Sequence, residues 1–344
     1  MTIFEYVAAK ELKVYWETYS KDRAPFMGEE LFPSDKKLGL KLDWIKGSKG
    51  LPVVLKPSAL DAKSSLRPRI GLEKLSSDMP FFKESMLIDE HLRQELNKVI
   101  ETGNANYIDA VLNNIFNDEM TLLEGAAAQR ERMRMMALTT GAITIEANGQ
   151  IQAYDYGMPE NHKGTVTTDW SDPNADIIGD IERCKEVILE DTGVVPTRAT
   201  CSGKTLGYLT KNAAIQKVIY VQAGGNVTIT KKRVKDFFLN EYDIDIVEND
   251  KRFIDESGNA QKYVADDTFV LFPEGNLGTT WFGTTPEESD LLSSNVANVS
   301  IVDKGVAITT SKMVDPVNVD TKVSMICLPS FEKANEVYIL EVKK

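Results

Sequence analysis

The chain has 344 residues, of which 42% are hydrophobic and 27% are charged, and its net charge at pH 7 is −12. This composition is that of a globular protein with one large core or two smaller ones. No run of about 18 apolar residues is present, so no segment is predicted to span a membrane. The negative charge disfavours the whole surface as a nucleic-acid binder, because phosphate binding depends on Lys and Arg.

The cysteines and the N-terminal residues indicate a compartment. Cys184, Cys201 and Cys327 are odd in number and widely spaced, which favours reduced thiols in a cytoplasm over a disulfide framework or a zinc site. The sequence Met-Thr-Ile-Phe-Glu-Tyr at the start lacks the basic and apolar regions of a signal peptide. We therefore expect the protein to remain where it is made.

The first two stretches of the chain cannot build much core of their own. Residues 1–35 combine a helical pattern over residues 3–13 with scattered aromatic side chains, which predicts an arm that packs on another surface. Residues 36–84 contain two strand-like runs, 38–44 and 51–55, around a Gly-rich turn, which predicts a long hairpin. A lone two-stranded ribbon is only marginally stable in water, so this hairpin needs a neighbour.

The charge of the hairpin suggests what that neighbour is. Between Lys36 and Lys74 the chain has ten Lys or Arg and three acids, a net charge of +7, whereas residues 263–303 contain seven acids and no base. We predict that the basic hairpin lies on the acidic body of another copy of this chain. The alternative is a solvated loop.

Helical periodicity begins at Ser85. One predicted helix ends at Gly103, and a longer one covers residues 106–138, which corresponds to a spine roughly 45–50 Å long. The Asn148-Gly149 pair between two apolar runs predicts a hairpin.

The third stretch alternates helices and strands. Asp172, Pro173 and Asp176 predict a helix start, with Asp172 as the N-cap and Gly193 as the end. Further on, the pattern predicts strands at 194–200, 242–247, 268–272, 279–282, 322–328 and 337–342, a helix at 204–217, and a hairpin around residues 256–259.

The candidate catalytic motifs do not have the residue spacing that catalysis requires. Gly203-Lys204-Thr205 resembles the end of a phosphate-binding loop, but Arg198 stands where that motif requires glycine, and Ser202 more simply caps a helix. His91 and His162 lie in no zinc-protease or serine-hydrolase motif. Both are predicted to be ordinary surface or boundary residues.

Charged residues elsewhere have simpler explanations than a site. Asp243 and Asp245 are predicted on one solvated strand face, and this explanation also covers Asp266 and Asp267. Residues 255–259 have turn composition and lack the spacing of a calcium loop. The basic run at 231–235 predicts a solvated helix start, with a contact to DNA as the alternative. We predict no catalytic, cofactor-binding or metal site.

The order of these parts resembles the major capsid proteins of tailed bacteriophages, and in particular the lambda major head protein (capsid E) family with its Hong Kong 97-type fold. The resemblance is firmest from Asp118-Glu119 through Thr140-Gly141, Asp155-Tyr156-Gly157, Trp170 and Asp172-Pro173 to Asp176-Ile177. A second firm region covers residues 242–283. The first 84 residues match only in general composition and pattern.

The resemblance implies an α+β capsid fold divided into four parts. These are an N-terminal arm (1–35), an extended loop formed by the long hairpin (36–84), a peripheral domain with the spine helix (85–175 and 310–344) and an axial domain (176–309). The candidate inter-subunit contacts lie in the arm and the loop: Lys46, Lys49, Lys56, Lys63, Arg67, Arg69, Trp16 and Phe26.

The function implied is structural. The resemblance indicates a virion protein that is not an enzyme, needs no cofactor and self-assembles into hexamers and pentamers of an icosahedral shell around double-stranded DNA. Scaffolding, portal and decoration proteins are the further partners it implies, with non-specific contact to the packaged DNA, no membrane, and assembly in the host bacterial cytoplasm. The alternative hypothesis is a cytoplasmic α/β enzyme or ligand-binding protein with an unrecognised site.

Overall fold

A computed structural model describes residues 7–21, 23–45, 74–88, 90, 94, 97–98, 105–147, 150–222, 229–292, 297–313 and 318–344. The chain forms two compact units. The first comprises residues 1–43, 76–134 and 279–330, and the second comprises residues 44–75, 135–278 and 331–344. The four-part division into arm, loop, peripheral domain and axial domain stays a prediction.

The helices with defined bounds are α1 (Ala9–Tyr19), α2 (Met27–Leu31), α3 (Ala105–Thr140), α4 (Ile177–Thr192), α5 (Gly203–Lys211), α6 (Ala213–Gln222) and α7 (Lys231–Tyr242). The strands are β1 (Ser34–Lys36), β2 (Lys41–Ile45), β3 (Lys74–Asp78), β4 (Phe81–Ile88), β5 (Ala142–Ala147), β6 (Gln150–Asp155), β7 (Lys163–Thr165), β8 (Arg198–Cys201), β9 (Asp245–Glu248), β10 (Arg252–Ile254), β11 (Ala260–Lys262), β12 (Thr268–Phe272), β13 (Thr279–Phe282), β14 (Asn298–Val302), β15 (Val306–Lys312), β16 (Val319–Ser330) and β17 (Tyr338–Glu341). Within the described residues, no helix is long and apolar enough to cross a membrane.

The spine helix is confirmed as α3, with 36 residues and a length of about 54 Å. It ends where Gly141 adopts φ +74° and donates its N–H to the Ala137 carbonyl at 3.0 Å. A side chain there would meet Met158 Cβ at 3.1 Å, so the helix stop needs glycine for both conformation and space. The following hairpin, β5 and β6, is also confirmed.

The first unit is built around β16, a strand of 12 residues. It pairs with β15, β13 and β4, all antiparallel, in a sheet of order β1-β13-β16-β15-β14 with β4 also on β16. Strands distant in sequence thus meet on one central strand. Their pairing, rather than a local hairpin, defines the unit.

Two expectations for the first unit need correction. The helix predicted to end at residue 13 continues to Tyr19: α1 covers Ala9–Tyr19 and buries Ala9, Leu12 and Trp16, while residues 3–6 lie outside the described residues. Residues 85–88 are strand rather than helix: they pair with β16, and the less exposed side chains of β4 at Phe82, Met86 and Ile88 lie an even number of residues apart, as on one face of a strand. Of the helix predicted beyond β4, only residues 90, 94, 97 and 98 are described, and these are helical.

The long hairpin is described at its base alone. The run predicted at 38–44 is a strand at β2, which pairs with β3. The partner predicted at 51–55 lies outside the described residues. Lys46, Lys49, Lys56, Lys63, Arg67 and Arg69 lie outside them as well.

The second unit contains a five-stranded sheet of order β7-β17-β12-β8-β9. β12 is antiparallel to its neighbours β8 and β17, while β8 and β9 are parallel. One core joins this sheet to α4, α5, α6 and α7, and it includes Trp170, Ile181, Cys184, Leu206, Phe238 and Phe269. All three cysteines are buried free thiols.

The start of α4 differs from the prediction. Asp176, not Asp172, is the N-cap, and its carboxylate accepts the Gly179 N–H at 3.1 Å. Asp172 instead accepts the Asn174 N–H at 2.9 Å in a preceding turn, because the helix begins only at Ile177 and Asp side chains commonly bond the N–H two residues on. Gly193, with φ +73°, ends the helix as predicted.

Other element boundaries differ from the predicted ones for local reasons. The strand predicted at 194–200 is β8, and the helix predicted at 204–217 is two helices, because the Asn212 side chain accepts the Ile215 N–H and starts a new one. Asp243 is not a strand residue: it ends α7 in the left-handed region, with φ 59°. It therefore shares no strand face with Asp245, although Ile244 and Ile246 are buried as expected.

We expect Asp176→Ala to lower the free energy of unfolding by about 1 kcal/mol, because an N-cap hydrogen bond is lost. The matched variant Asp172→Ala removes only a turn contact and should cost roughly half as much or less. Thermal and urea unfolding of the two variants measure the difference. Equal losses would show that Asp176 is not the dominant cap.

Candidate functional site: the seat of the N-terminal segment

The N-terminal segment, residues 7–36, packs on α3 and on the sheet of the first unit. The Ala9 N–H donates to Thr310 Oγ1 at 3.1 Å, and the Tyr19 hydroxyl donates to Glu124 Oε1 at 2.5 Å. At its other end the segment adds β1 in parallel to β13. It is therefore held along its length, as an arm that packs on a surface would be.

Trp16 and Phe26, two of the predicted inter-subunit contacts, both touch their own chain. Trp16 is buried, and its indole N–H donates to Asp303 Oδ1 at 3.2 Å. Phe26 is half-buried, with the Arg23 guanidinium 4.2 Å from its ring centroid, a cation–π distance. Their contact with another subunit stays a prediction.

A charged cluster fixes the segment to the spine helix. Its members are Arg130, Glu131 and Arg134 of α3 together with Asp303 of the turn between β14 and β15. Arg130 Nη2 donates to Asp303 Oδ2 at 2.7 Å, and Glu131 Oε1 accepts the Gly28 N–H at 3.0 Å. Arg134 Nε donates to Thr280 Oγ1 at 2.9 Å, and Thr280 in turn donates to the Phe32 carbonyl at 2.9 Å.

Three of these charges are almost fully buried. The side chains of Arg130, Glu131 and Arg134 are 5%, 1% and 1% exposed. Burial, followed by the neighbouring Arg130, lowers the pKa of the Arg134 guanidinium. A buried charge is tolerated only where partners offset its desolvation, so the charged cluster depends on the N-terminal segment that supplies some of those partners.

Gly28 allows the segment to approach the cluster closely. A Cβ at this position would lie 2.5 Å from Glu131 Oε2 and 2.8 Å from Arg134 Cδ. These distances are shorter than any ordinary van der Waals contact, so only glycine fits without displacing the buried ion pair.

The charged cluster was not predicted from the sequence. Charges inside a helical pattern usually indicate a solvated face. The available signal was position: Arg130 and Arg134 fall at helical spacing from the buried residues Ala127 and Leu138, so they lie on the apolar face of α3.

Glu119 is a buried acid on the same helix. Its side chain is 2% exposed, and Oε2 has no hydrogen-bond partner within the described part of the chain. Burial, with smaller contributions from the nearby Asp320 and Asp118, raises the pKa of this carboxyl to about 7, although the side chain of Thr321 acts in the opposite direction. The group therefore titrates near neutral pH.

The acidic stretch at residues 263–303 is largely paired within its own chain. Five of its seven acids form ion pairs: Asp266 with Lys262, Asp267 with Lys204, Glu287 with Lys322, Glu288 with Lys36, and Asp303 with Arg130. Fewer of these carboxylates are therefore available to bind the basic hairpin of another copy than the sequence alone indicates.

The candidate phosphate motif is occupied by carboxylates. The Gly203 N–H donates to Asp250 Oδ1 at 3.1 Å, and Lys204 Nζ donates to Asp267 Oδ2 at 2.8 Å. Ser202 caps α5, as predicted, by accepting the Thr205 N–H. Within the described ranges, no group of three or more His, Cys, Asp or Glu could hold a metal ion.

His162 is fully buried, so its prediction as a surface or boundary residue is wrong. Nδ1 lies 3.0 Å from the Val337 carbonyl and Nε2 lies 3.0 Å from Asp191 Oδ2. Hydrogen bonds from Asn161 and His162 lower the pKa of the Asp191 carboxyl. His162 thus connects two chain segments of the second unit. His91 lies outside the described residues.

The strand β4 has an exposed face. Phe81 and Leu87 are 42% and 54% exposed, and Lys83 and Ser85 between them are also exposed. One edge of β4 pairs with β16 over eight residues. Of the strands described, none pairs with its other edge.

Three solved structures with a similar fold come from phages or are described as phage-related. A protein assigned as a prophage capsid protein of E. coli CFT073 has a TM-score of 0.60 and 12% sequence identity, with 98% of this chain and 99% of that chain covered. A phage-related protein from Bordetella bronchiseptica RB50 has a TM-score of 0.57 and 15% identity, covering 98% and 97%. The cyanophage A-1(L) capsid has a TM-score of 0.50 and 9% identity, covering 91% of each chain. The fold is the Hong Kong 97-like capsid fold.

The family follows from the sequence. A family model described as phage major capsid protein E matches residues 9–342, and the chain belongs to this family. No curated protein matches the sequence. The chain is thus a major capsid protein, a structural component of the virion that assembles with copies of itself into the phage shell, and the predicted family resemblance is confirmed.

We expect Gly28→Ala to destabilise the first unit by about 1–3 kcal/mol, because the added methyl group overpacks the charged cluster. Gly125→Ala is the matched control on α3. No atom lies within 4 Å of its added Cβ, so it should stabilise the helix by about 0.5–1 kcal/mol. Urea unfolding gives both values. The same sign for both variants would contradict the close contact at Gly28.

We expect Glu119→Gln to flatten the dependence of stability on pH. Because burial raises the pKa of Glu119 in the folded state, the native protein binds this proton more tightly than the unfolded chain does. The resulting stabilisation is complete below about pH 4.5 and is lost as pH rises through about 7. Relative to the Gln variant, the wild type should lose about 1–3 kcal/mol between pH 4.5 and 8.

Thermal unfolding across this pH range measures the effect of Glu119. The exposed Glu186→Gln on α4 serves as the control and should leave the profile unchanged. Parallel profiles for the wild type and Glu119→Gln would mean that Glu119 does not titrate near neutral pH.

Proposed function

We propose that subunits of this capsid protein form hexamers and pentamers of an icosahedral shell around double-stranded DNA, and that they join through the exposed edge of β4 and the basic segment 46–69. The first surface is supported by the geometry of β4. An eight-residue strand that has exposed apolar side chains, and whose outer edge pairs with none of the described strands, is an aggregation hazard in a monomer. In a shell it is a pairing site for another copy.

Apolar side chains extend the β4 surface. Leu38 and Leu40 are 85% and 56% exposed, and the Leu40 carbonyl accepts the Met79 N–H at 2.9 Å, so Leu40 lies close to the start of β4. Exposed apolar side chains grouped in this way mark interaction sites on soluble proteins. A second copy is the occupant expected for a protein whose family assembles with itself.

The second surface rests on charge. The segment from Lys46 to Arg69 is strongly basic, and the resemblance to capsid proteins assigns it to an extended loop that overlaps the next subunit. Many weak contacts of this kind become strong when they engage together. Since five acids of residues 263–303 are paired internally, the acidic partner surface includes acids elsewhere on the neighbour.

No enzymatic role is part of this proposal. Asp250 and Asp267 accept hydrogen bonds from Gly203 and Lys204, so the start of α5 has a structural role. The family is also structural. The basic run of α7 is partly paired as well: Lys231 contacts Glu248, and Lys235 lies 4.0 Å from the same carboxylate. This supports a solvated helix start over a DNA contact. Scaffolding, portal and decoration partners, non-specific contact with packaged DNA, and assembly in the host cytoplasm rest on the family resemblance alone.

The β4 edge is tested with Leu87→Glu. Burying a charge in an apolar contact should weaken each subunit interface by about 1 kcal/mol or more, and the loss is multiplied over the shell. Light scattering and electron microscopy of the purified protein measure assembly, and circular dichroism checks the fold. Leu87→Ile keeps an apolar side chain of the same size and should assemble normally. Normal particles from Leu87→Glu would exclude this edge from the interface.

The basic segment is tested in the same assay by changing Lys46, Lys49, Lys56 and Lys63 together to Glu. Exposed ion pairs contribute only about 0.2–1 kcal/mol each, but four reversals per copy turn attraction into repulsion. The defect should shrink as salt approaches 1 M, where the screening length is about 3 Å. Loss of the folded monomer, or normal assembly at low salt, would show that this segment does not join subunits.

A further inference from the structure

A cavity of about 470 Å³ lies beside the charged cluster, within the first unit. Its walls come from three sources: the N-terminal segment supplies Arg23 and Glu29, α3 supplies Arg130 and Arg134, and the turn between β14 and β15 supplies Asp303 and Lys304. A volume of this size is within the range of small-ligand sites, roughly 300–1,000 Å³.

The cavity wall is positive. It contains four cationic side chains and the carboxylates of Glu29 and Asp303. Arg23 lies 3.6 Å from Glu29, and Arg130 lies 2.7 Å from Asp303. These two pairs account for both acids in the wall.

The other two cations of the wall contact neutral oxygens. Arg134 Nη2 donates to Ser34 Oγ at 3.2 Å, and Lys304 Nζ donates to the Ser34 carbonyl at 2.7 Å. Glu131, which is not in the wall, lies 3.8 Å from Arg134 Nη1 and accepts the Gly28 N–H. Even with Glu131 counted, the positive charges outnumber the negative ones.

Two buried guanidinium groups retain unused donors. Arg130 and Arg134 are 4% and 1% exposed, and Nη1 of each is buried without a hydrogen-bond partner among the described residues. A buried donor without a partner is costly, and two neighbouring buried cations repel each other. The lowered pKa of Arg134 reflects that burial and the neighbouring Arg130. An anion in the cavity would offset the repulsion between these two cations.

We propose that this cavity binds an oxyanion, a phosphate or a carboxylate, through the guanidinium groups of Arg130 and Arg134. Guanidinium donors match the geometry of both anions and form strong charge-assisted hydrogen bonds with them. Because the wall combines α3 with the N-terminal segment, the bound anion links the two. The anion is either a free ion or a carboxylate of another copy of this chain, and both sources use the same chemistry.

The test is isothermal titration of the unassembled full chain with inorganic phosphate, compared with sodium chloride at matched ionic strength. We expect saturable binding of one phosphate per chain and a rise in the unfolding temperature with phosphate concentration. Arg130→Gln keeps a polar side chain, removes its charge and should weaken binding about tenfold or more. Arg132→Gln on the same helix does not line the cavity and should bind within about twofold of the wild type.

A second arm distinguishes the two sources of the anion. Assembled particles that still take up one phosphate per subunit indicate a free ion, whereas particles that take up none indicate a carboxylate supplied by another copy. Circular dichroism confirms that each variant is folded, and Lys304→Ala on the exposed rim provides a variant that does not disturb the core. No saturable binding above the chloride control, or equal weakening by Arg130→Gln and Arg132→Gln, would overturn the proposal.

Discussion

The buried charges of the spine helix set the structure of the first unit. Arg130, Glu131 and Arg134 lose their hydration when the unit folds, and the groups that replace that water come from the N-terminal segment and from the turn at Asp303. An uncompensated buried charge costs several kcal/mol. The helix, the segment and the sheet must therefore come together in one cooperative step, and none of them is stable in this arrangement alone.

This dependence explains why the N-terminal segment packs so firmly on its own subunit. Trp16, Gly28 and Phe32 all connect to the charged cluster, directly or through Thr280. In a shell protein an arm must be ordered at its base before it can present anything to a neighbour. In the proposed assembly, the outer edge of β4 and the basic segment 46–69 carry the contacts between subunits, whereas the charged cluster holds the base of the arm in place.

Local patterns predicted much of the fold. The spine helix, the Asn-Gly hairpin, the Ser202 cap and the Gly193 stop depend on residues close in sequence, and all four are confirmed. The order of the parts also sufficed to indicate the capsid family. What the sequence could not predict depends on distant partners. The strand β4 is fixed by β16, and the burial of His162 is fixed by Val337 and Asp191. The roles of Arg130 and Arg134 depend on segments about a hundred residues away or more.

The pairing of β16 has a consequence for synthesis. This strand lies at residues 319–330, yet β4, β13 and β15 cannot complete their sheet without it, and α1 packs on β14 and β15 of that sheet. Contacts of such long sequence separation form slowly, and here they wait until most of the chain has left the ribosome. A growing chain therefore has no finished first unit on which its arm can settle. The sheet of the first unit is therefore completed only after nearly all of the chain has been made.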